Sequence, residues 1–418
     1  MRKYSNGFPA AIALLALAAC GGSGGGDTPP ILGGGGGGGN GLPDPSTAPA
    51  LKAIISARFA VDNFPVGAAI APDQTTGTTA TLLQKHYSSI TAENVMKPDT
   101  IWPNAAGSTT QPAAAPDFTA ADQLVAFATT NGIKVRGHTL LWHQTAPSWF
   151  FAGDQTNAAN YRTIVRQNLC HYIDVVMRHF AGTNVYAWDV VNEVATDTPN
   201  STTNPYRTNS PWYQAYSVGG MTGKEYVADA FQCAGQTRAA MGRNASNLKL
   251  MLNDYNTELP GKRANVMAIV DELVAQALPI DGVGHQFHLQ LDADVTQVTA
   301  ALTAVESRGL ISHVTELDVS IYADPGDCYS TRATPPCLAD YGASPPATVL
   351  SQQATLYRAL YNAFNRASVQ SITTWGVADN HTWLNSFPVN RTNRPLLFDT
   401  GGSPKRAFWA VVDPTFTP

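Results

Sequence analysis

Two glutamates stand at the ends of short apolar segments and are the first candidates for chemistry. Glu193 directly follows the segment 185–192, and Glu316 lies within the segment 313–319. A carboxyl group in such a place is either the partner of a buried cation or one member of a catalytic pair. Hydrolysis of a glycosidic bond with retention requires two such groups about 5–5.5 Å apart. The two glutamates are therefore a candidate catalytic pair, provided that the fold brings them together.

Their neighbours favour different roles for the two carboxyl groups. Glu193 follows an apolar strand beside aromatic residues, which favours a raised pKa and the role of acid/base. Glu316 would remain ionised, as a nucleophile must, if His288 donates a hydrogen bond to it and Asp318 orients that histidine. Asn192, adjacent to the acid, is placed to bind a sugar 2-hydroxyl.

From Leu51 onward, apolar strands alternate with amphipathic helices, the pattern of parallel strands joined by helical crossovers. The predicted strands are 64–70, 89–95, 133–141, 185–192, 248–254, 282–289, 313–319 and 371–377. The predicted helices include 119–130, 161–180, 226–241, 261–277, 295–307 and 354–365. Eight strands predict an α/β fold, a closed (β/α)8 TIM barrel forming one catalytic domain over 51–418. An open doubly wound sheet is the alternative, but no glycine fingerprint follows the first strand.

Polar and ionisable residues are dense where these strands end, and reactive side chains of a barrel gather at that face. The histidines among them, at the ends of two strands, could form a metal site. Neutral imidazoles also bind sugar hydroxyls, and we favour that interpretation, with no metal and no cofactor. Tryptophans beside the strand ends could be core residues, although they often present apolar faces to sugar rings.

Seven motifs at the strand ends carry a family resemblance. They are TAENVMK, RGHTLLWH, WDVVNE, NDYN, GHQFH, TELDV and WGVADNHTW, in this order over about 51–412. Together they resemble glycoside hydrolase family 10, whose principal members are endo-β-1,4-xylanases. The resemblance implies retaining hydrolysis of internal bonds in xylan and xylo-oligosaccharides. The alternatives are a β-1,4-glucanase on the same fold and a non-catalytic surface lipoprotein that binds glycans.

The resemblance also assigns individual residues. It implies Glu193 as acid/base and Glu316 as nucleophile. The other implied sugar-binding residues are Asn192, Gln286, His138 and His288 around the nucleophile, Glu93, Asn94 and Lys97 on the non-reducing side, Trp142, Trp375 and Trp383 as aromatic walls, and Tyr255 on the leaving-group side. A wall near Trp383 would leave little room for the hydroxymethyl group of glucose, which would favour xylose.

The N-terminus has the pattern of an export signal. Arg2 and Lys3 precede an apolar run over 10–19, and small residues lead to Cys20, as in a bacterial lipoprotein signal. The run is too short to span a bilayer, which needs about 20 residues. We expect a signal peptide over 1–19 and lipidation of Cys20, with simple secretion as the alternative. The expected location is the cell envelope, as an outer-membrane lipoprotein whose lipid is its membrane contact.

The segment 20–50 is predicted to be a tether after the lipidated cysteine. Thirteen glycines lie within 21–41, and prolines follow at 43, 45 and 49. Chains of this composition are flexible spacers.

Export makes the other four cysteines candidates for disulfides, because the compartments outside the cytoplasm are oxidising. Four cysteines permit three pairings. Cys328 and Cys337 are close in sequence, which favours that pair and leaves Cys170 with Cys233. The second pair would join the helices that flank the fourth strand, which are neighbours in a barrel.

Charge and composition limit the partners. Only 14% of the residues are charged, against roughly 25% in an average protein, and the formal net charge is −5 without a basic cluster. Nucleic acid is therefore an unsupported partner, because phosphate binding depends on clustered cations. A neutral, hydroxyl-rich partner fits better, and we expect a monomer.

Overall fold

The computed structural model describes residues 42–201 and 203–418, and its centre is a closed parallel barrel. The strands are β1 (Val66–Ile70), β2 (Ser89–Ala92), β3 (Lys134–Gly137), β4 (Val185–Asn192), β5 (Lys249–Asp254), β6 (Gly282–His285), β7 (His288–Gln290), β8 (Ile311–Ser320) and β9 (Val369–Thr374). Neighbouring strands pair in parallel from β1 to β6, then β6 with β8, β8 with β9, and β9 with β1. This pairing closes a barrel of eight staves, as the sequence predicts. Each stave is one strand, except the sixth, which contains the two consecutive strands β6 and β7.

The sixth stave differs from the sequence prediction, which is one continuous strand over 282–289. It consists of β6 and β7, which are separated by Gln286 and Phe287. Phe287 has a left-handed backbone with φ 49°, which interrupts the strand. After the break, β7 pairs with β8, with His288 opposite Asp318. A local backbone conformation of this kind leaves no mark in an apolar pattern.

Helices surround the barrel. They are α1 (Leu51–Phe59), α2 (Gly77–His86), α3 (Pro98–Ile101), α4 (Thr119–Thr130), α5 (Ala158–His179), α6 (Pro211–Tyr216), α7 (Glu225–Ala240), α8 (Pro260–Ala275), α9 (Val295–Glu306), α10 (Cys328–Thr331), α11 (Ala347–Phe364) and α12 (Arg406–Val412). The predicted helix over 119–130 has the bounds of α4, and four others differ from the observed helices by at most three residues at either end. The predicted helix 354–365 is too short, because α11 begins seven residues earlier, at Ala347. The predicted strands 89–95 and 133–141 extend beyond β2 and β3. Past β3, residues 138–141 are buried like strand residues, whereas residues 93–95 past β2 are half-buried or exposed.

Two disulfides confirm the predicted pairing. Cys170 on α5 is bonded to Cys233 on α7, and Cys328 is bonded to Cys337. The first bridge joins neighbouring helices around β4. The second encloses a short loop after β8, where both cysteines are buried beside Tyr329 and Phe387. The second bridge therefore shapes a loop at the barrel mouth.

The predicted signal peptide, the lipidation site Cys20 and residues 20–41 of the predicted tether lie outside the described residues. Residues 42–50 are described, and they include a one-turn helix over Pro45–Thr47. Ala48 is buried against the main hydrophobic core. The packed domain thus begins a few residues before Leu51. Across 42–201 and 203–418, none of the helices has the length and apolar character needed to cross a bilayer.

Candidate active site

The C-terminal ends of the strands surround a cleft of about 800 Å³. Every sugar-binding or catalytic residue predicted from the sequence lines it. These residues are Glu93, Asn94, Lys97, His138, Trp142, Asn192, Glu193, Tyr255, Gln286, His288, Glu316, Asp318, Trp375 and Trp383. The sequence places them on seven different staves, and only closure of the barrel brings them to one opening.

Glu316, on β8, is buried and held by two donors. The imidazole Nε2 of His288 lies 3.1 Å from its Oε2, and the Nδ2 of Asn253 donates to its Oε1 at 2.7 Å. Burial alone would raise the pKa of Glu316. The hydrogen bond from His288 and the positive charge nearby outweigh burial and lower the pKa to about 2. Glu316 is therefore ionised throughout the neutral range.

His288 links Glu316 to Asp318. Its Nδ1 lies 2.9 Å from the Oδ2 of Asp318, which also accepts a hydrogen bond from the indole of Trp383 at 2.9 Å. Burial alone would lower the pKa of His288, but the two carboxylates outweigh burial and raise it to about 10. The ring is then protonated at neutral pH, and both nitrogens donate.

Asn253, at the end of β5, connects Glu316 to the residues around Glu193. Its Nδ2 donates to Glu316 and also to the Oδ1 of Asn192 at 2.9 Å, while Thr315 donates to its Oδ1 at 2.7 Å. Glycine at position 284 is required beside it, because a Cβ there would overlap the amide oxygen of Asn253. The amide is thus fixed in orientation by three hydrogen bonds.

Glu193 follows β4 and has a different environment. Its Oε2 accepts a hydrogen bond from the indole of Trp142 at 2.9 Å, and its Oε1 accepts one from Gln286 at 3.2 Å. Burial is the largest influence on this carboxyl and raises its pKa, although the Arg207 cation and the two neutral donors oppose it. Asp254 adds to the rise. Of the two candidate catalytic carboxyls, Glu193 is therefore the one predisposed to hold a proton.

The backbone of Glu193 is itself in a special conformation. Its φ is 57°, in the left-handed region that non-glycine residues rarely occupy. Such a residue costs about 1–3 kcal/mol and persists only where the surroundings hold it. Its backbone N–H donates to the carbonyl of Asn253 at 2.8 Å, and its carbonyl accepts from Arg207 at 2.9 Å. These two hydrogen bonds therefore fix the turn that presents the carboxyl group to the cleft.

A buried ion pair supports His138, which lines the cleft. The Arg136 guanidinium contacts the Asp189 carboxylate and donates to the carbonyl of Thr315 at 2.8 Å. The same carboxylate lies 2.8 Å from the Nδ1 of His138. Because Arg136 and Asp189 are fully buried, loss of either partner would leave an uncompensated charge and cost about 3–5 kcal/mol. This pair orients His138 toward the cleft.

One wall of the cleft contains the polar residues that follow β2. Lys97 is buried, donates to the Oδ1 of Asn94 at 2.8 Å and stands 4.8 Å above the ring of Trp142. Burial lowers the pKa of Lys97, and burial raises the pKa of Glu93. The wall offers charged and amide groups that are suited to sugar hydroxyls.

Another part of the cleft lining is aromatic. Trp383 packs at 5.0 Å against His288 and stacks at 5.0 Å on Phe387. Trp375 meets His138 edge to face at 5.5 Å. Flat apolar faces beside polar groups are typical of sites that bind sugar rings.

Comparison with known proteins identifies the family. The family described as "Glycosyl hydrolase family 10" matches residues 54–414. The chain belongs to glycosyl hydrolase family 10. It is 38% identical over 367 residues to the "Thermostable celloxylanase" of Thermoclostridium stercorarium, covering 85% of this chain and 86% of the relative. It is 34% identical over 381 residues to the "Endo-1,4-beta-xylanase A" of Halalkalibacterium halodurans, covering 86% of each.

A solved structure agrees with this family 10 assignment. The crystal structure of xylanase B from Clostridium stercorarium F9 superposes with a TM-score of 0.73 at 38% identity. The match covers 88% of this chain and 100% of that one. The eight-stranded barrel of this glycoside hydrolase is therefore the fold of its relatives.

Several residues of this family 10 site were missed by reasoning from the sequence. Arg207 lines the cleft from the long loop after β4, and Tyr329, Arg332 and Phe387 line it from loops after β8 and β9. Asn253 was noticed only as part of the motif NDYN. No local pattern marks loop residues of this kind, but the length of the chain between β4 and α6 is a signal that could have pointed to Arg207.

The histidines of the site do not form one cluster. His138 and His288 are bonded to different aspartates, as described above. His285 lies inside the barrel, where its ring nitrogens form hydrogen bonds with the hydroxyls of Thr257 at 2.8 Å and Ser312 at 3.2 Å. The group of possible metal ligands within the described part of the chain is Asp324 with Cys328 and Cys337, whose sulfurs are bonded to each other.

Proposed function

We propose that the protein is a retaining endo-1,4-β-xylanase in which Glu193 is the acid/base and Glu316 the nucleophile. The observation that carries the proposal is the contrast between the two carboxyl groups in one cleft. Burial raises the pKa of Glu193, whereas donated hydrogen bonds and positive charge lower that of Glu316 despite burial. A protonated acid and an ionised nucleophile are the two species that the first step of retaining hydrolysis consumes.

In the first step, the Glu316 carboxylate attacks the anomeric carbon of the sugar that lies on the non-reducing side of the bond to be cleaved. The bond between that carbon and the bridging oxygen breaks, and Glu193 gives its proton to the leaving oxygen. The product is a glycosyl ester of Glu316. Protonated His288 and Asn253 remain in place to stabilise the carboxylate when it leaves again.

In the second step, the Glu193 carboxylate accepts a proton from water. The water oxygen attacks the same carbon from the face that the leaving group vacated, and the ester bond to Glu316 breaks. Two inversions restore the original anomeric configuration. Both carboxyl groups return to their starting protonation states.

Asn192 supports this reaction through the orientation of its amide. Its Oδ1 accepts from Asn253 at 2.9 Å and from Gln286 at 3.3 Å. These bonds direct the carboxamide nitrogen away from the network, where it can donate to a sugar 2-hydroxyl. A hydrogen bond to that hydroxyl strengthens as the oxocarbenium-like transition state forms.

Preference for xylose is proposed to come from the aromatic wall. Trp383 is held by its bond to Asp318 and by stacking on Phe387, so it cannot easily swing away from the sugar. A hydroxymethyl group directed at this wall would clash. The name of the relative "Thermostable celloxylanase" makes β-1,4-glucan the substrate to compare.

The test is release of reducing sugar from xylan and from soluble cellulose by the purified protein and by Glu316→Ala. We expect release chiefly from xylan and an inactive but folded variant. The anomer that appears first, followed by proton NMR, should have the β configuration. Faster release from cellulose would favour a glucanase, and an inactive wild-type protein that binds xylan would favour the glycan-binding lipoprotein.

We also propose that the enzyme is exported and anchored by lipid on Cys20. The support is the charged start, the apolar run and the small residues before Cys20. A labelled fatty acid should follow the wild-type chain in a producing bacterium and be lost in Cys20→Ala. Equal labelling of both chains, or of neither, would contradict the anchor. All the cleft residues come from one chain, so a monomer suffices for the proposed activity.

A further inference from the structure

Arg207 is a buried residue of the long loop that joins β4 to α7. Its side chain is only 5% exposed, although it belongs to a connecting loop and reaches the cleft. The loop is held to the end of β4 by a short antiparallel bridge between Ala195 and Tyr206. Arg207 therefore follows directly after the point where the loop returns to the strand that carries Glu193.

Arg207 binds the backbone on the C-terminal side of the turn at Glu193. Its Nε donates to the carbonyl of Glu193 at 2.9 Å, and its own backbone N–H donates to the carbonyl of Val194 at 2.8 Å. Since the N–H of Glu193 is bonded to the carbonyl of Asn253, both peptide groups of this left-handed residue are held. The guanidinium thus holds one of the two peptide groups of Glu193.

The other end of the guanidinium binds the neighbouring wall. Its Nη2 donates to the hydroxyl of Tyr255 at 2.7 Å and lies 3.2 Å from the carboxylate of Asp197. The Tyr255 hydroxyl also donates to Asp197 at 2.7 Å, and Lys262 lies 3.0 Å from the same carboxylate. Arg207 therefore spans from the backbone of Glu193 to a cleft-lining aromatic ring.

We propose that Arg207 is a positioning residue for Glu193, which fixes the turn that presents the carboxyl group and ties it to Tyr255. This role needs the planar guanidinium of an arginine, because one side chain must donate hydrogen bonds in two directions at once. The inference rests on the proposed role of Glu193 as acid/base. It adds a function for the loop after β4, which no sequence motif suggested.

The positive charge of Arg207 gives the proposal a signature that a structural role lacks. The guanidinium favours the ionised form of Glu193 and opposes burial, which raises the pKa of that carboxyl. Removal of the charge should raise the pKa of Glu193 further. In a retaining enzyme the acid must be protonated for the first step. The alkaline limb of the pH profile of kcat/KM therefore reports the pKa of Glu193. That limb should move to higher pH.

Other charged and titratable groups face this pair from several elements. Those around Glu193 and Arg207 are Asp254 and Tyr255 from the end of β5, Asp197 from the loop, Lys262 from α8, Lys97 from the loop after β2, Tyr226 from α7 and His143 from the loop after β3. Lys262 forms its own ion pairs with both Asp197 and Asp254, so we expect these two carboxylates to remain paired when Arg207 is replaced. Burial, with Arg207 adding to it, lowers the pKa of His143 to about 3, so a change there would appear at the acidic limb.

The experiment compares Arg207→Gln and Arg207→Lys with the wild-type enzyme in kcat, kcat/KM against pH, and thermal unfolding. Arg238→Gln is the control, since Arg238 is a similarly buried arginine on α7 that binds a carbonyl and Asp281 away from the cleft. We expect Arg207→Gln to lose about 10- to 100-fold in kcat, as misplaced catalytic groups do, with its alkaline limb displaced upward. Arg207→Lys should lose kcat but keep the wild-type limb. The control should lower Tm alone.

Two results would overturn the proposal. One is a folded Arg207→Gln variant with wild-type kcat and an unmoved alkaline limb. The other is an Arg207→Lys variant with full kcat, which would show that the guanidinium is unnecessary. If Arg207→Gln does not fold, the Arg207→Lys variant decides the question. Failure of the proposed function would look different, because Glu193→Gln would then retain activity and the alkaline limb whatever Arg207 does.

Discussion

Glu193 directly follows β4 and Glu316 lies within β8 of the same barrel, and both are surrounded by protein, yet their surroundings act in opposite directions. Glu316 receives a hydrogen bond from a protonated histidine and another from an amide. The Glu193 carboxyl accepts hydrogen bonds from two neutral donors, an indole and an amide, while the Arg207 cation donates to the backbone carbonyl of the same residue. Burial by itself disfavours both carboxylates, so the charge of the donor decides which one remains ionised.

The difference teaches that the donors, more than the depth of burial, assign the roles in this cleft. The same residue type becomes acid or nucleophile according to whether a positive charge reaches its oxygens. Amide bridges through Asn253, Asn192 and Gln286 hold the two carboxyl groups in one network. Four substitutions test the comparison.

Replacement of the nucleophile should have the largest effect. Glu316→Gln keeps the shape of the side chain but cannot form the glycosyl ester, so turnover of an aryl xylobioside should fall on the order of 10⁴-fold or more. Circular dichroism and Tm should show a folded protein. Turnover above a tenth of the wild-type rate would remove Glu316 from the mechanism.

Replacement of the acid should depend on the leaving group. Glu193→Gln should lose about 10²- to 10⁴-fold on xylan, where the leaving oxygen needs a proton. Formation of the glycosyl-enzyme from a dinitrophenyl xylobioside, measured as a burst, should fall much less, because this leaving group departs without protonation. Equal losses of the burst rate and of xylan turnover would erase the proposed difference between the two glutamates.

Loss of the charged donor should mainly affect the nucleophile. In His288→Gln the pKa of Glu316 should rise from about 2, because the imidazolium no longer favours the carboxylate. Since the nucleophile must be ionised, the acidic limb of kcat/KM should move to higher pH. A charge-assisted hydrogen bond is worth about 1.5–3 kcal/mol, so kcat/KM at neutral pH should fall about 10- to 100-fold. An unmoved acidic limb would contradict the assignment.

Loss of a neutral donor at the acid should have the smallest effect. Trp142→Phe removes the indole N–H that lies 2.9 Å from Glu193 and opposes the raised pKa of that carboxyl. The pKa of Glu193 should rise slightly, so the alkaline limb should move upward while the acidic limb stays. A neutral hydrogen bond contributes about 0.5–1.5 kcal/mol, which corresponds to a decrease in kcat/KM of about 2- to 10-fold. A shift of the acidic limb in Trp142→Phe would show that the two carboxyls are not controlled separately.

Much of the site could be predicted because closed barrels direct strand ends to one face. Apolar segments followed by polar motifs located His138, Asn192 and Glu316 in this way, and all of them line the cleft. The disulfide between Cys170 and Cys233 followed from the same geometry, since neighbouring helices flank β4. Such predictions need only the order of elements and the period of the apolar pattern.

The remainder could not be predicted, because it depends on contacts between residues far apart in the chain. The break in the sixth stave at Phe287 and the reach of Arg207 from its loop have no local pattern.

The sequence by itself determined the alternation of strands and helices, the cysteines available for pairing and the residue types at each strand end. These follow from apolar periodicity and side-chain chemistry, which are local properties. The sequence favoured Glu316 as the ionised glutamate only on the condition that His288 reaches it. The tertiary structure decided that condition, since it brings His288 to Glu316 while Trp142 and Gln286 reach Glu193. The pKa of a carboxyl group is set by charges and donors within a few ångströms, and folding alone determines which groups those are.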